Sequence, residues 1–132
     1  LRALFADRAT SRPTAPKLVA EERLADGLVR CLEVPGDLAQ LEGHFEALPL
    51  VPGVVQLGWV LAAAAAWLGH PPRLVGLEAL KFPEPLRPGP RVTLELRRST
   101  DGRLLRFRIR GERSEHASGR AILAAPPVPE AT

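Results

Sequence analysis

Two segments in the second half of the chain alternate strictly between apolar and polar residues. The first places apolar side chains at every second position, with Val92, Leu94 and Leu96 between Thr93, Glu95 and Arg97. The second repeats the pattern, with Leu105, Phe107 and Ile109 between Arg106, Arg108 and Arg110. A period of two is typical of a strand with one buried face. The turn signal Asp101-Gly102 lies between the segments and predicts a hairpin.

Further strands are predicted on both sides of the middle of the chain. Residues 17–24 and 28–34 flank the turn Ala25-Asp26-Gly27, which indicates a hairpin. Residues 74–82 and 115–123 are also rich in strand-forming side chains. With the alternating segments, predicted at 91–98 and 104–112, the strands make one antiparallel sheet.

One helix is predicted between the two groups of strands. The run from Gly53 to Leu68 follows Pro52 and precedes Gly69, and these are favoured residues at a helix start and just past its end. Gln56 is the only polar side chain in the run, so the helix needs protein around it. A curved antiparallel sheet wrapped around one long buried central helix satisfies this need, and the predicted fold class is therefore α+β.

Composition divides the chain into three parts. Residues 10–16 are rich in Pro, Ser and Thr, and we predict that residues 1–16 are a linker before a folded domain at 17–125. The opening five residues resemble the end of adenylate-forming acyl ligases, and the alternative interpretation of residues 1–16 is therefore the tail of a preceding ligase. The Pro-rich residues 126–132 are predicted to be a disordered tail.

Charge and cysteine content narrow the function. The formal charge of +3 over 132 residues is too small to indicate nucleic-acid binding. The single cysteine, Cys31, excludes an internal disulfide and favours a reducing, cytoplasmic location. No apolar run is long enough to cross a membrane, and no spacing of side chains suggests a metal site.

Two motifs in register carry a family resemblance. Gly43, His44 and Phe45 are followed by Pro49 and by residues 52–56, Pro-Gly-Val-Val-Gln. Gly76, Leu77, Glu78, Lys81, Phe82, Pro85, Pro88 and Gly89 make up the second motif. Together they resemble FabA/FabZ-type 3-hydroxyacyl-carrier-protein dehydratases, which have the hot-dog fold. The continuation Leu57-Gly58-Trp59 is most similar to the ApeI-like dehydratase domains of aryl polyene pathways.

This resemblance implies the dehydration of a 3-hydroxyacyl thioester in fatty-acid-like or aryl polyene synthesis, without a cofactor. His44 would be the base, since neutral imidazole accepts a proton near neutral pH. The amides of Gly53 and Val54 would hold the thioester oxygen. The family also implies a homodimer, an acyl carrier protein or coenzyme A thioester as substrate, and a substrate tunnel formed here by Phe45, Pro52, Gln56, Gly58 and Trp59.

The chain departs from the family at one catalytic position. The family has Glu or Asp one position after Gln-Leu, contributed across the dimer interface to protonate the leaving hydroxyl, whereas this chain has Gly58. Such acid help is typically worth about 10²–10⁴ in rate. Glu46 is a candidate substitute. The alternatives are a hot-dog acyl thioesterase and a non-catalytic module that binds acyl groups or dimerises.

The arginines of the second alternating segment share one strand face. Arg106, Arg108 and Arg110 lie on it, with Arg97 and Glu95 on the preceding strand. The simpler interpretation is a solvated, partly ion-paired surface. The functional interpretation is a docking patch for an acidic acyl carrier protein.

Overall fold

The computed structural model describes residues 15–34 and 50–124. In chain order the elements are β1 (Lys17–Leu24), β2 (Gly27–Glu33), α1 (Gly53–Leu68), β3 (Leu74–Lys81), β4 (Arg91–Arg98), β5 (Leu104–Arg110) and β6 (Glu115–Leu123). The six strands form one antiparallel sheet in the order β1-β2-β4-β5-β6-β3. The predicted fold class is confirmed, and the predicted strand ends differ from the observed ones by at most two residues.

The first hairpin is closed by Ala25 and Asp26 alone, because Gly27 already pairs with Leu24 in the ladder. Gly27 serves a different purpose from a turn glycine. A Cβ atom on it would overlap the carbonyl oxygen of Leu96 on the neighbouring strand β4. The glycine therefore allows close approach of two backbones, which is a common reason for glycine inside a strand.

Alternation decides which side of the sheet is covered. The inward residues of β4 and β5 are all buried, while most of their outward neighbours are exposed. The core comprises Leu28, Leu32, Val34, Val51, Trp59, Val60, Ala63, Ala64, Leu86, Val92, Leu94, Leu96, Leu105, Phe107, Ile109, Ala117, Ala121 and Leu123. Helix α1 packs on this side of the sheet, so the strand pattern and the apolar helix meet in one core.

Helix α1 is covered on one side and open on the other. Its buried residues are Gln56, Trp59, Val60, Ala63 and Ala64. Every fourth residue of the opposite side is exposed, namely Val54, Gly58, Ala62 and Ala66. The chain therefore surrounds the helix less completely than its apolar sequence predicted, and the open stripe carries no charge.

Strand β3 lies at one edge of the sheet and is irregular. It pairs with β6 through Glu78 and Lys81, and the register shifts between these two residues. Ala79 has φ of 52°, a left-handed conformation that glycine adopts more readily. The bulge reorients the end of β3, which leads directly into Phe82.

Candidate functional site

The site is built around the first turn of α1. Pro52 precedes the helix with φ −59° and ψ 149°, and its carbonyl accepts hydrogen bonds from the N–H groups of Val55 (3.0 Å) and Gln56 (3.1 Å). Among the described residues, the N–H groups of Gly53 and Val54 have no acceptor. Both groups point out of the positive end of the helix dipole, where they can polarise a carbonyl oxygen.

An aromatic ring lies against this helix start. A Cβ atom on Gly53 would come within 2.7 Å of Cζ of Phe82 and within 2.9 Å of its Cε1. In the structure the Phe82 ring occupies the space that a side chain on Gly53 would need. The ring itself is 42% exposed, so it can also contact a bound molecule.

The segment before the helix is held from two sides. The Val51 N–H donates to the Leu86 carbonyl over 2.7 Å, and both residues are buried. The Gln56 side chain, only 3% exposed, donates from Nε2 to the Val51 carbonyl over 3.2 Å. These two hydrogen bonds fix the position of Val51, just before the helix, and Gln56 therefore supports the start of α1.

A mostly apolar cavity of about 350 Å³ lies beside helix α1, next to Val54 and Gly58. Its walls come from α1 and from the inward faces of β3, β5 and β6, through Val54, Leu57, Gly58, Val60, Leu61, Leu77, Phe107 and Ala121. None of these residues has a titratable side chain. A Cβ on Gly58 would meet nothing within 4 Å, so the position of the missing acid opens into free space.

The predicted site residues fall into three groups. His44, Phe45 and Glu46 lie outside the described residues, as do residues 1–14 of the predicted linker and the predicted tail at 126–132. Gly53 and Val54 form the helix tip, and Val54 and Gly58 line the cavity. Pro52 is half-buried at the helix start, and Trp59 belongs to the core with an indole N–H that has no partner among the described residues.

The one described carboxyl group with a clearly shifted pKa, that of Asp101, lies away from this site. The Ser99 hydroxyl and the Arg103 N–H donate hydrogen bonds to Asp101 and hold the pKa of its carboxyl below the usual range. Asp101 belongs to the β4–β5 hairpin, whereas the cavity has neutral walls. Within residues 15–34 and 50–124 no cluster of side chains could hold a metal ion. No helix in those ranges has the length and apolar character needed to cross a bilayer.

Two residues of the site were missed by the sequence reasoning. Phe82 and Leu77 were recognised only as members of the second motif. The contact between Phe82 and Gly53 joins the two motifs across 29 positions of sequence. Both motifs carry the same family resemblance, and this was the available signal. Motifs of one family often meet at one site, so a contact between them could have been predicted.

The fold defines the class of protein. A six-stranded antiparallel sheet with one helix against its inner face is the hot-dog fold. It is shared with the structure of thioesterase superfamily member2 from Mus musculus (TM-score 0.61, 15% identity, 91% of this chain and 87% of that chain). At this identity the likeness shows the fold alone. No protein of curated function matches the sequence.

The chain belongs to the ApeI-like family, whose model, described as ApeI dehydratase, matches residues 21–120. It is similar to the dehydratase heterocomplex ApeI:P from Xenorhabdus doucetiae (TM-score 0.76, 29% identity, 83% of this chain and 97% of that chain). It is also similar to an uncharacterized protein from Erwinia carotovora subsp. atroseptica (TM-score 0.69, 28% identity, 84% of this chain and 97% of that chain). The predicted ApeI-like resemblance is confirmed.

Proposed function

We propose that the protein dehydrates 3-hydroxyacyl thioesters, in fatty-acid-like or aryl polyene synthesis, by removing a proton next to a carbonyl held at the tip of α1. The pair of N–H groups on Gly53 and Val54 carries the proposal, because the Pro52 carbonyl accepts the next two amides of the helix, and these two have no acceptor within residues 15–34 and 50–124. Charge that develops on the thioester oxygen is stabilised by such preorganised donors. Membership of the ApeI-like dehydratase family supports the same reaction.

In this mechanism His44 takes the proton from the carbon next to the carbonyl. The electrons of that C–H bond form the new double bond, and the bond between the third carbon and its hydroxyl breaks. The hydroxyl needs one proton to leave as water. Gly58 supplies none, and Glu46 is the proposed donor. General acid help of this kind is typically worth about 10²–10⁴ in rate.

Turnover with two substrates tests the reaction. A 3-hydroxyacyl thioester and a plain acyl thioester are incubated with the protein, and enoyl product and free thiol are measured separately. We expect enoyl product that is lost in His44→Ala. Free thiol from both substrates without enoyl product would identify a thioesterase. Retained acyl binding without either product would identify a binding module, and both outcomes would contradict dehydration.

The vacancy at Gly58 permits a gain-of-function test. A Cβ at this position meets nothing within 4 Å and faces the cavity, so a longer side chain can be accommodated. We expect Gly58→Glu to raise the dehydration rate if the missing acid limits it, by up to about 10²–10⁴. Gly58→Gln has nearly the same size and no acidic proton. Equal rates in the two variants would show that the acid is not limiting.

We also propose that the chain pairs with a second copy through β3 and the open side of α1. Of the eight large apolar side chains that are exposed among the described residues, six lie on β3, on α1 or just after β3: Val54, Leu74, Val75, Leu77, Leu80 and Phe82. The uncharged stripe of α1 continues this surface. An unpaired strand edge beside a large apolar patch is typical of a protein interface.

A heterologous partner is the alternative occupant of this surface. The similar ApeI protein is part of a heterocomplex, ApeI:P. Sedimentation of the purified chain distinguishes the two: a dimer at micromolar concentration supports self-association, whereas a monomer would contradict it. An acyl carrier protein or coenzyme A thioester as substrate, a cytoplasmic location and a neighbouring ligase remain predictions.

A further inference from the structure

The apolar cavity beside α1 begins at the helix tip, at Val54. The N–H group of this residue belongs to the candidate site, and its side chain lines the cavity. Leu57, Gly58 and Leu61 line the cavity further along the same helix. Residues at these spacings share one face of a helix. The cavity therefore follows one face of α1 away from the tip.

The length of this helix face limits the group that the cavity can hold. A helix rises about 1.5 Å per residue, so Val54 and Leu61 are separated by about 10 Å along the axis. An extended hydrocarbon chain of roughly eight carbons, with C–C bonds of about 1.5 Å, has a similar length. The cavity volume of about 350 Å³ is also that of a small-molecule site. An acyl chain of medium length fits both dimensions.

The side chains that line the cavity can neither donate nor accept a hydrogen bond. Its deep wall is formed by Phe107 of β5 and Ala121 of β6, which are 3% and 1% exposed. The backbone polar groups of helices and sheets are mostly paired with one another. A hydroxyl group buried in the cavity would lose its water partners without gaining others, which is costly. The cavity therefore favours a group that is hydrocarbon throughout.

Gly58 keeps the cavity open. A Cβ atom on this residue would meet nothing within 4 Å, and the residue itself lines the cavity. Glycine is unfavourable inside a helix, so the stability of α1 does not explain its presence. The missing side chain leaves room beside α1 that a larger residue would fill. At this position the chain has space for an acyl group in place of the acidic side chain of related dehydratases.

We infer that the cavity holds the far end of the acyl chain, that this end is free of polar groups, and that Gly58 sets its size. The inference rests on the proposed function, in which the amides of Gly53 and Val54 hold the thioester carbonyl. Aliphatic chains and unsubstituted aryl groups meet the requirement, whereas a chain that ends in a hydroxyl or hydroxyphenyl group does not. A second copy on the open side of α1 would cover the cavity with the same uncharged surface, so pairing preserves this selectivity.

Binding of two unreactive analogues tests the selectivity. The octanoyl and ω-hydroxyoctanoyl amide analogues of the pantetheine thioester neither dehydrate nor hydrolyse, and their dissociation constants are measured by calorimetry. We expect the hydroxylated analogue to bind about 10–100-fold more weakly. Equal affinities would overturn the inference, because the end of the chain would then lie in water or beside a polar group. Absent binding of the octanoyl analogue would overturn it as well.

Gly58→Leu and Ala66→Leu test whether position 58 sets the size of the cavity. Ala66 lies on the same exposed side of α1 but does not line the cavity. Leucine is favoured over glycine in a helix, and thermal unfolding checks that both variants fold. We expect Gly58→Leu to weaken binding of the octanoyl analogue at least tenfold more than that of the butanoyl analogue. Ala66→Leu should leave the ratio of the two affinities unchanged. The same ratio in Gly58→Leu and the wild type would contradict the assignment.

Leu61→Asn tests the selectivity from the side of the protein. Asparagine is close to leucine in size, and its amide can pair with a hydroxyl group on the bound chain. We expect the preference for the octanoyl over the ω-hydroxyoctanoyl analogue to fall severalfold in this variant. Leu61→Met, which brings no comparable hydrogen-bonding group, should retain the preference. An equal preference in the two variants would place the end of the chain away from Leu61 and overturn the inference.

Turnover keeps the acyl cavity and the reaction distinguishable. The values of kcat/KM for 3-hydroxyoctanoyl and 3,ω-dihydroxyoctanoyl pantetheine thioesters should differ by about the same factor as the affinities. If the wild type converts neither substrate, the proposed reaction fails, while the binding measurements still decide the inference. The rate of Gly58→Glu is compared on a 3-hydroxybutanoyl thioester, because the glutamate side chain would occupy the same cavity as a longer chain.

Discussion

The phenyl ring of Phe82 occupies the space that a side chain on Gly53 would need. Phe82 follows the bulged end of β3, and Gly53 opens helix α1, so this contact joins the sheet edge to the helix tip. The ring approaches so closely that even a methyl group would come within 2.7 Å of it. The position of the Gly53 and Val54 amides thus depends on a ring from the segment that follows β3.

Gly53→Ala should therefore damage the site. The methyl group must displace Phe82 or the first turn of α1, and overpacking of this kind typically costs about 1–3 kcal/mol. We expect lower stability in urea and a lower dehydration rate. Because the ring is partly exposed, the cost should lie toward the lower end of this range.

Gly58→Ala is the matched control on the same helix. Its methyl group meets nothing within 4 Å, and alanine is favoured over glycine inside a helix by about 1 kcal/mol. We expect this variant to unfold at a higher urea concentration than the wild type. If Gly53→Ala were equally stabilised, the close contact with Phe82 would be wrong.

Gly27→Ala should be more damaging than other glycine substitutions in the sheet. The obstacle is the Leu96 carbonyl oxygen, which is backbone and fully engaged in the centre of the sheet, so it cannot rotate away. We expect a loss of about 1–3 kcal/mol in the free energy of unfolding. Gly76→Ala on β3 is the control, because its methyl group enters open space. Equal stability of the two variants would contradict the close strand approach.

Local patterns in the sequence were sufficient to predict the elements. A period of two set the strands β4 and β5, and Pro52 and Gly69 set the ends of the helix. Each signal comes from residues near one another in the chain. The hot-dog fold then followed from the family resemblance.

The site could be predicted only in part, because its remaining features depend on contacts between distant residues. No periodicity indicates that Phe82 contacts Gly53. Nor does it indicate that the register of β4, β5 and β6 places Arg97, Arg106 and Arg120 directly opposite one another. Gln56 was predicted to line the tunnel, but its buried side chain donates to the Val51 carbonyl. A polar residue on an apolar helix does not reveal from sequence alone whether its partner is substrate or backbone.

The buried position of Gln56 predicts a pH-dependent defect in Gln56→Glu. Burial disfavours a charged carboxyl, so the pKa of the introduced group is raised in the folded state above its unfolded value near ~4.3. When protonated, the group can still donate to the Val51 carbonyl. Stability is therefore best retained below the unfolded pKa and is lost as pH rises toward the folded pKa.

Urea unfolding of Gln56→Glu and the wild type at several pH values between 4 and 8 measures this defect. The difference in the free energy of unfolding should widen by up to about 1.4 kcal/mol per pH unit until the folded pKa is reached. A difference that does not vary with pH would show that the side chain at position 56 reaches water, in conflict with its 3% exposure.

The proposed pairing surface predicts that the two edge strands respond differently to the same substitution. Val75 on β3 is 68% exposed and next to the apolar cavity wall at Leu77, so Val75→Lys brings a charge into the proposed interface without disturbing the core. A lysine on an edge strand also opposes pairing with another strand. Val19 on β1, the opposite edge, is 39% exposed and provides the matched control Val19→Lys. By sedimentation velocity, we expect Val75→Lys to weaken the dimer at least tenfold, while Val19→Lys sediments like the wild type. Dissociation by Val19→Lys alone would move the interface to β1, and it would leave the apolar surface of β3 to a different protein.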